Sequence, residues 1–298
     1  MARDQGRVQR AWAVAWWLAA LVAPVAMIIM VKAVPLEATQ VQFLQECQAA
    51  WGLSIPGWTG ASPDCSSATG LTCDSSGMIL VLKLRNYKLG GQIPNSLSSL
   101  RRLIYLDLAS NQLPGSIPAS VTALSLLQHL WLYNNTLTGA ILADVGSLTS
   151  MITLSLATNQ LSGSIPADIG VLTKLISIDV SSNQLSGSIP ATISALTQVS
   201  YLSLRSNQLT GSIPVEIGSL LSLKSLSLDY NLLSGSVPSS ITKLTALTYF
   251  SLASNQLTNS IPAGIGLLTK LVTLDLSRNQ LSGSIPATIS ALTQVSYL

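Results

Sequence analysis

Residues 103–118 read L-I-Y-L-D-L-A-S-N-Q-L-P-G-S-I-P, and residues 271–286 read L-V-T-L-D-L-S-R-N-Q-L-S-G-S-I-P. The shared frame is L-x-x-L-x-L-x-x-N-x-L-x-G-x-I-P. Outward from these stretches, Asn returns at 111, 135, 159, 183, 207, 231, 255 and 279, each step being 24 residues, and Tyr87 fills the slot one step earlier. Pro holds its position in eight of nine turns, with Leu142 the exception, and Gly in eight of nine, with Asn259 the exception. Such a register marks an internal repeat, and the repeat decides the fold.

The frame dictates the local structure. Leu-x-Leu has a period of two, so it is a short strand with both leucines facing inward. Successive turns stack those strands in parallel, ~4.8 Å apart. Asn leaves the strand by a turn, and its amide is suited to backbone groups that the curve would orphan. Gly permits tight backbone there, and Pro fixes φ and ends strand pairing. Apolar positions further on, such as Ile169 and Leu172, fill the core from the far side. No turn buries its own apolar face, so each depends on its neighbours.

Composition agrees. Of 298 residues 48% are hydrophobic and only 9% charged, against roughly 25% charged in an ordinary domain. The net charge of +3 is carried by residues 1–33, where Arg3, Arg7, Arg10 and Lys32 stand against Asp4. The rest is neutral, which excludes the basic face that a nucleic-acid binder needs. One His and three Cys leave little for metal or His-based chemistry.

A basic stretch, the apolar run 11–31 and the small or β-branched residues of Val31-Lys32-Ala33 form a secretory signal peptide over residues 1–33. The run is also long enough to span a bilayer, so an uncleaved anchor is the alternative. Trp12, Trp16 and Trp17 belong to this segment.

The repeat frame resembles a leucine-rich repeat, and its G-x-I-P extension resembles the plant-specific class found in receptor-like kinases, receptor-like proteins and polygalacturonase-inhibiting proteins. The resemblance covers residues 78–298, about nine turns. It implies an α/β solenoid: a right-handed arc with a parallel concave sheet, an extra sheet beside it and recognition on the concave side. Residues 34–77 resemble the family's N-terminal helical cap, which covers the open apolar end of the stack. Within the cap, Gln40–Trp51 reads as a helix with Val41, Phe43, Leu44, Cys47 and Ala50 on its apolar positions. The order Trp58, Pro-Asp-Cys65, Gly-Leu-Thr-Cys73-Asp resembles the family's cap, whose paired cysteines are disulfide-bonded; this implies a Cys65–Cys73 disulfide. Ser66, Ser67 and Ala68 stand where the family has a Trp. Cys47 is left over, either a buried thiol or an intermolecular link.

Residues between the strand leucines face the concave side, at positions −6, −4, −2 and −1 from the Asn. Most are small. The best contact cluster is Tyr105, Asp107, His129, Trp131 and Tyr133, since exposed aromatic residues beside charge make binding hot spots. Further outliers are Tyr201, Tyr230 and Tyr249, with Lys83, Arg85, Asp179, Arg205, Asp229, Asp275 and Arg278. His129 and Asp107 alone are too few for a metal site. The Ser-Gly-Ser-Ile-Pro runs lack the Lys-[Ser/Thr] of a phosphate loop, so no metal or cofactor is expected. Asn134-Asn135-Thr136 is a glycosylation sequon that places a glycan on Asn134, beside the cluster.

Residues 279–298 repeat 183–202. The sequence stops at Leu298 inside the next turn's strand, which reads as a fragment whose last turn is open. The expected function is extracellular: a secreted or cell-surface recognition module, not an enzyme. It binds a peptide, glycan or protein on its concave face, with a co-receptor in the receptor-like case. Membrane contact is expected only through residues 1–33 or a region beyond Leu298. The alternative is a secreted inhibitor of a microbial cell-wall-degrading enzyme.

Overall fold

The computed structural model describes residues 36–59 and 63–297. The predicted leader or anchor, residues 1–33, lies outside them. No helix among the described residues is long and apolar enough to cross a membrane.

The main sheet has ten strands among the described residues. It opens with Leu71–Cys73, antiparallel to Ile79–Lys83. Eight parallel strands then follow in chain order: Tyr105–Asp107, His129–Trp131, Thr153–Ser155, Ser177–Asp179, Tyr201–Ser203, Ser225–Ser227, Tyr249–Ser251 and Thr273–Asp275. Pairing keeps the sequence period. Leu106 lies opposite Leu130, Leu130 opposite Leu154, and Leu226 opposite Phe250. The strand leucines are buried, as the period-two reading requires.

The extra sheet is present in two pieces. Ser162–Ser164, Gln184–Gly187 and Gln208–Leu209 form one, and Ser234–Ser236 with Gln256–Thr258 form the other. The far side is made of single 3-10 turns, from Asn95–Ser99 to Ala287–Ala291, which bury residues such as Ile169, Leu172, Ile217 and Leu220. Each turn begins after the Pro slot. Leu142 starts its own turn equally well, with Val145 N–H donating to Leu142 O at 3.1 Å. Extended φ/ψ at that slot matters more than the ring.

The asparagines form the expected ladder. Asn135 Nδ2 donates to Leu108 O of the preceding turn and to Leu132 O of its own, both at 3.0 Å. Its Oδ1 accepts from Leu113 N–H at 3.0 Å. Asn111, Asn159, Asn183, Asn207, Asn231, Asn255 and Asn279 repeat the pattern. Each therefore satisfies three backbone groups that no strand or turn reaches. The Gly four residues later sits at φ 75–77° from Gly115 onward, and Asn259, which replaces it once, adopts φ 63°. Asn is the side chain best suited to that left-handed region after Gly.

The cap helix spans Ala38–Trp51, starting two residues before the expected Gln40. Phe43, Leu44, Cys47 and Trp51 are buried. One reading of its face is corrected. Ala50 is exposed, and the polar Gln40 is buried, because its amide ties the helix to the first strands. Gln40 Nε2 donates to Gly77 O at 3.2 Å and its Oε1 accepts from Ile79 N–H at 2.8 Å. Cys65 and Cys73 are disulfide-bonded, with Cα atoms 5.9 Å apart. Trp58 is buried, with its Nε1 donating to Thr69 O at 2.8 Å. Cys47 is an enclosed thiol, so the intermolecular link is withdrawn; burial also pushes its pKa up.

Candidate ligand-binding face

The concave positions bring the five predicted residues together with two more. Tyr105 and His129 are register partners on adjacent strands, as are Asp107 and Trp131. The Tyr105 ring lies 5.2 Å from the His129 ring and 5.1 Å, edge-on, from the Trp131 ring. Both separations are favourable for aromatic pairs. Lys83 and Arg85, from the preceding turn, complete the group. Lys83 Nζ stands 4.4 Å over the Tyr105 ring. The Arg85 guanidinium lies 5.0 Å from Trp131 and 5.4 Å from Tyr133, within cation–π range.

Polar groups inside the cluster are satisfied. Arg85 reaches Asp107 Oδ2 with Nε at 3.1 Å and with a terminal nitrogen at 2.9 Å. Asp107 Oδ1 accepts from Ala109 N–H at 3.1 Å. Thr153 Oγ1, on the next strand, accepts from Trp131 Nε1 at 2.9 Å and lies 2.9 Å from His129 Nδ1. Burial, reinforced by Lys83, holds the His129 pKa below its ordinary value.

Exposure differs from expectation. Tyr105, Asp107 and His129 are 6%, 4% and 8% exposed, while Trp131 and Tyr133 are half-buried. Large rings on a ~4.8 Å strand spacing lie over their neighbours. Trp131 and Tyr133, with Arg85 between them, thus form the accessible ledge, and the other three support it. Sequence reasoning noted Lys83 and Arg85 only as scattered charges and missed Thr153. The signal for all three was the shared row: each occupies position −2, −4 or −6 in an adjoining turn. Asn134 is exposed at φ 55°, one residue from the ledge.

A second group lies further along the arc. Tyr201, Ser225 and Tyr249 are register partners on three consecutive strands. Arg205 Nε lies 3.3 Å from Asp229 Oδ2, and its guanidinium stands 4.9 Å over the Tyr230 ring. Asp229 is only 2% exposed, and its Oδ1 has no hydrogen-bond partner. Burial pushes the Asp229 carboxyl up to about 6, against the pull of Arg205. Among the described residues no three His, Cys, Asp or Glu side chains converge as metal ligands.

Six segments, residues 102–124, 126–148, 174–196, 198–220, 222–244 and 270–292, match the Leucine Rich Repeat family. The solenoid is a leucine-rich-repeat solenoid. Among solved structures it is similar to the ectodomain of the plant membrane receptor kinase GASSHO1/SCHENGEN3 from Arabidopsis thaliana, in complex with CASPARIAN STRIP INTEGRITY FACTOR 2. There the TM-score is 0.84 and the identity 33%, over 88% of this chain and 32% of that one. It is similar to the Arabidopsis receptor kinase HAESA ectodomain bound to an N-terminally extended IDA peptide hormone, with TM-score 0.71 and 31% identity over 87% of this chain and 48% of that one. A plant ice-binding protein aligns with TM-score 0.68 and 25% identity, over 85% of this chain and 90% of that one. The leucine-rich-repeat chain thus spans a third to a half of these receptor ectodomains. No curated protein matches it in sequence.

Proposed function

We propose that the chain is an extracellular recognition module, secreted or held at the cell surface, that binds an extended peptide along its concave face. It acts by binding and not by catalysis. The observation that carries this reading is the ledge of Trp131, Arg85 and Tyr133, an aromatic–cationic surface on rigid strands with its polar groups already paired. Such surfaces lose little conformational entropy on binding. The likeness to receptor ectodomains in complex with peptide hormones supports the ligand class, and a HAESA structure that includes the co-receptor SERK1 supports a second protein partner. The test is peptide selection by phage display on the chain, followed by calorimetry of the enriched peptides. Trp131→Ala is expected to leave thermal unfolding nearly unchanged and to weaken binding more than tenfold. Unchanged affinity removes the ledge from the account. Enrichment of no peptide, with tight binding to a microbial wall-degrading enzyme instead, moves the chain to the inhibitor class.

A second reading draws on the alignment to nearly the whole ice-binding protein. Ser162, Ser164, Ser186, Ser212, Ser234 and Ser236 run along the extra sheet and its bridges, a regular hydroxyl surface without charge. Freezing-point hysteresis in a dilute solution of the chain supports that reading, and its absence ends it.

A further inference from the structure

The Asp229 carboxylate is the one buried acid on the concave face, among the described residues, with an oxygen left unpaired. The contrast with its neighbours has a structural cause. Asp107, Asp179 and Asp275 occupy position −4, where the N–H two residues on is available, and Oδ1 of each accepts it at 3.0–3.1 Å. Asp229 occupies position −2. Two residues on stands Asn231, whose N–H already donates to Ser254 O at 3.2 Å in the ladder between turns. The backbone therefore offers Asp229 Oδ1 no donor, and the carboxylate has beside it only the Ser251 hydroxyl of the next strand. A buried carboxylate oxygen without a donor is costly, and each such group in a folded protein calls for an explanation.

The surroundings specify the guest. Ser225, Ser227, Ser251 and Ala253 are small, so the floor between Tyr201 and Tyr249 is low. The two tyrosines stand on either side of Ser225, roughly 10 Å apart by strand spacing; the Tyr201 hydroxyl reaches Asp179 Oδ2 at 3.5 Å, and Tyr249 is the one that feels the Asp229 charge. Asp179 and Asp275 add like charge on either side. Arg205 is already engaged by Asp229 Oδ2 and the Tyr230 ring, and Arg278 lies at the exposed rim. Half-exposed Tyr249 is the side chain that a guest displaces to reach Oδ1. A carboxylate beside an aromatic ring accommodates an ammonium or guanidinium on a long aliphatic stem, through a charge-assisted hydrogen bond and cation–π contact.

We propose that Asp229, beside Tyr249, is a subsite for a lysine or arginine side chain of the extended peptide that the concave face binds. The proposal rests on the peptide reading above and adds a composition rule: one basic residue, placed four turns from the Trp131 ledge. The probe is the same peptide display library, selected in parallel on the unaltered chain and on Asp229→Asn. Calorimetry then compares an enriched peptide with its analogue carrying norleucine at the basic position. The expected result is one position enriched at least tenfold in Lys or Arg on the unaltered chain and not on Asp229→Asn. Norleucine and Asp229→Asn are each expected to weaken binding about tenfold, and not additively. Thermal unfolding of Asp229→Asn reports its fold, and Tyr249→Ala supplies a second variant at the same subsite. Pools that bind without a basic position, or that keep it on Asp229→Asn, overturn the subsite and leave the peptide reading standing. No enriched pool removes both.

Discussion

Two regions of one concave sheet solve the same problem differently. Around Trp131 both Asp107 oxygens and the Trp131 ring nitrogen have partners, and Arg85 contacts Asp107 through two nitrogens. Around Tyr249 the pair Arg205–Asp229 has a single 3.3 Å contact and leaves one carboxylate oxygen unpaired. The scaffold beneath is the same repeat, so the difference comes from offset alone. An acid at −4 borrows a backbone N–H, and an acid at −2 finds that N–H occupied by the next turn. The lesson is that a repeat protein's backbone decides which surface positions tolerate charge unaided.

The comparison breaks if the scaffold itself is weaker under one region. Asn135→Ala and Asn231→Ala probe that, since each removes four hydrogen bonds and leaves three backbone groups unpaired, one variant in each region. Unpaired buried groups cost about 1–3 kcal/mol each, so both variants should lose roughly 3 kcal/mol or more in chemical denaturation. A loss under Asn231 less than half that under Asn135 would place the contrast in the scaffold.

The two acids sharpen it. Asp107→Asn removes the charged partner of Arg85 in a buried setting and should cost about 1–2 kcal/mol. Asp229→Asn should do the opposite at neutral pH. The Asp229 carboxyl titrates at about 6 when folded, above the ~3.9 of an unfolded Asp. The folded state therefore holds the proton more tightly than the unfolded one. Its contribution is full below pH 4, declines as pH rises through 6, and is absent above. The gap corresponds to roughly 3 kcal/mol at most. Asp229→Asn should accordingly gain about 1–3 kcal/mol over the unaltered chain at pH 7.5, and the gain should vanish near pH 4. Melting curves across pH 4–8 measure it; a destabilised variant at pH 7.5 refutes the unpaired-oxygen account.

Much of this was legible in the sequence. Spacing of 24 fixed the strands, the inward leucines and the Asn ladder, because each follows from register alone. The membership of the Trp131 cluster was legible too, since rows of a parallel sheet are rows in the repeat alignment. Burial was not. Whether Tyr105 lies flat or stands up depends on the sizes of His129 and Trp131 beside it, and period-two alternation carries no such information. The burial of Gln40 was not legible for a related reason: it is stabilised by Gly77 and Ile79, almost 40 residues away. The unpaired oxygen of Asp229 required both pieces at once, the offset within the turn and the hydrogen bond to the turn after.

The smallest effect concerns Asn134. Its left-handed φ of 55° is shared with Ser110, Thr158, Ser182, Ser206, Tyr230, Ser254 and Arg278 at the same offset, so the conformation belongs to the turn and not to the sequon. Its N–H donates to Ala157 O at 2.8 Å, and its side chain is exposed. A glycan on this Asn therefore leaves the fold untouched and stands beside Tyr133 on the ledge. Asn134→Gln, expressed in a secreting eukaryotic host, should shift stability by less than about 0.5 kcal/mol, as surface substitutions do. If the site is occupied, mass spectrometry after glycosidase treatment detects it, and removing the glycan should speed peptide association at the Trp131 ledge. The subsite around Asp229, four turns away, should be unaffected. An equal change in both regions would show that the glycan acts on the whole face and would blur the distinction between them.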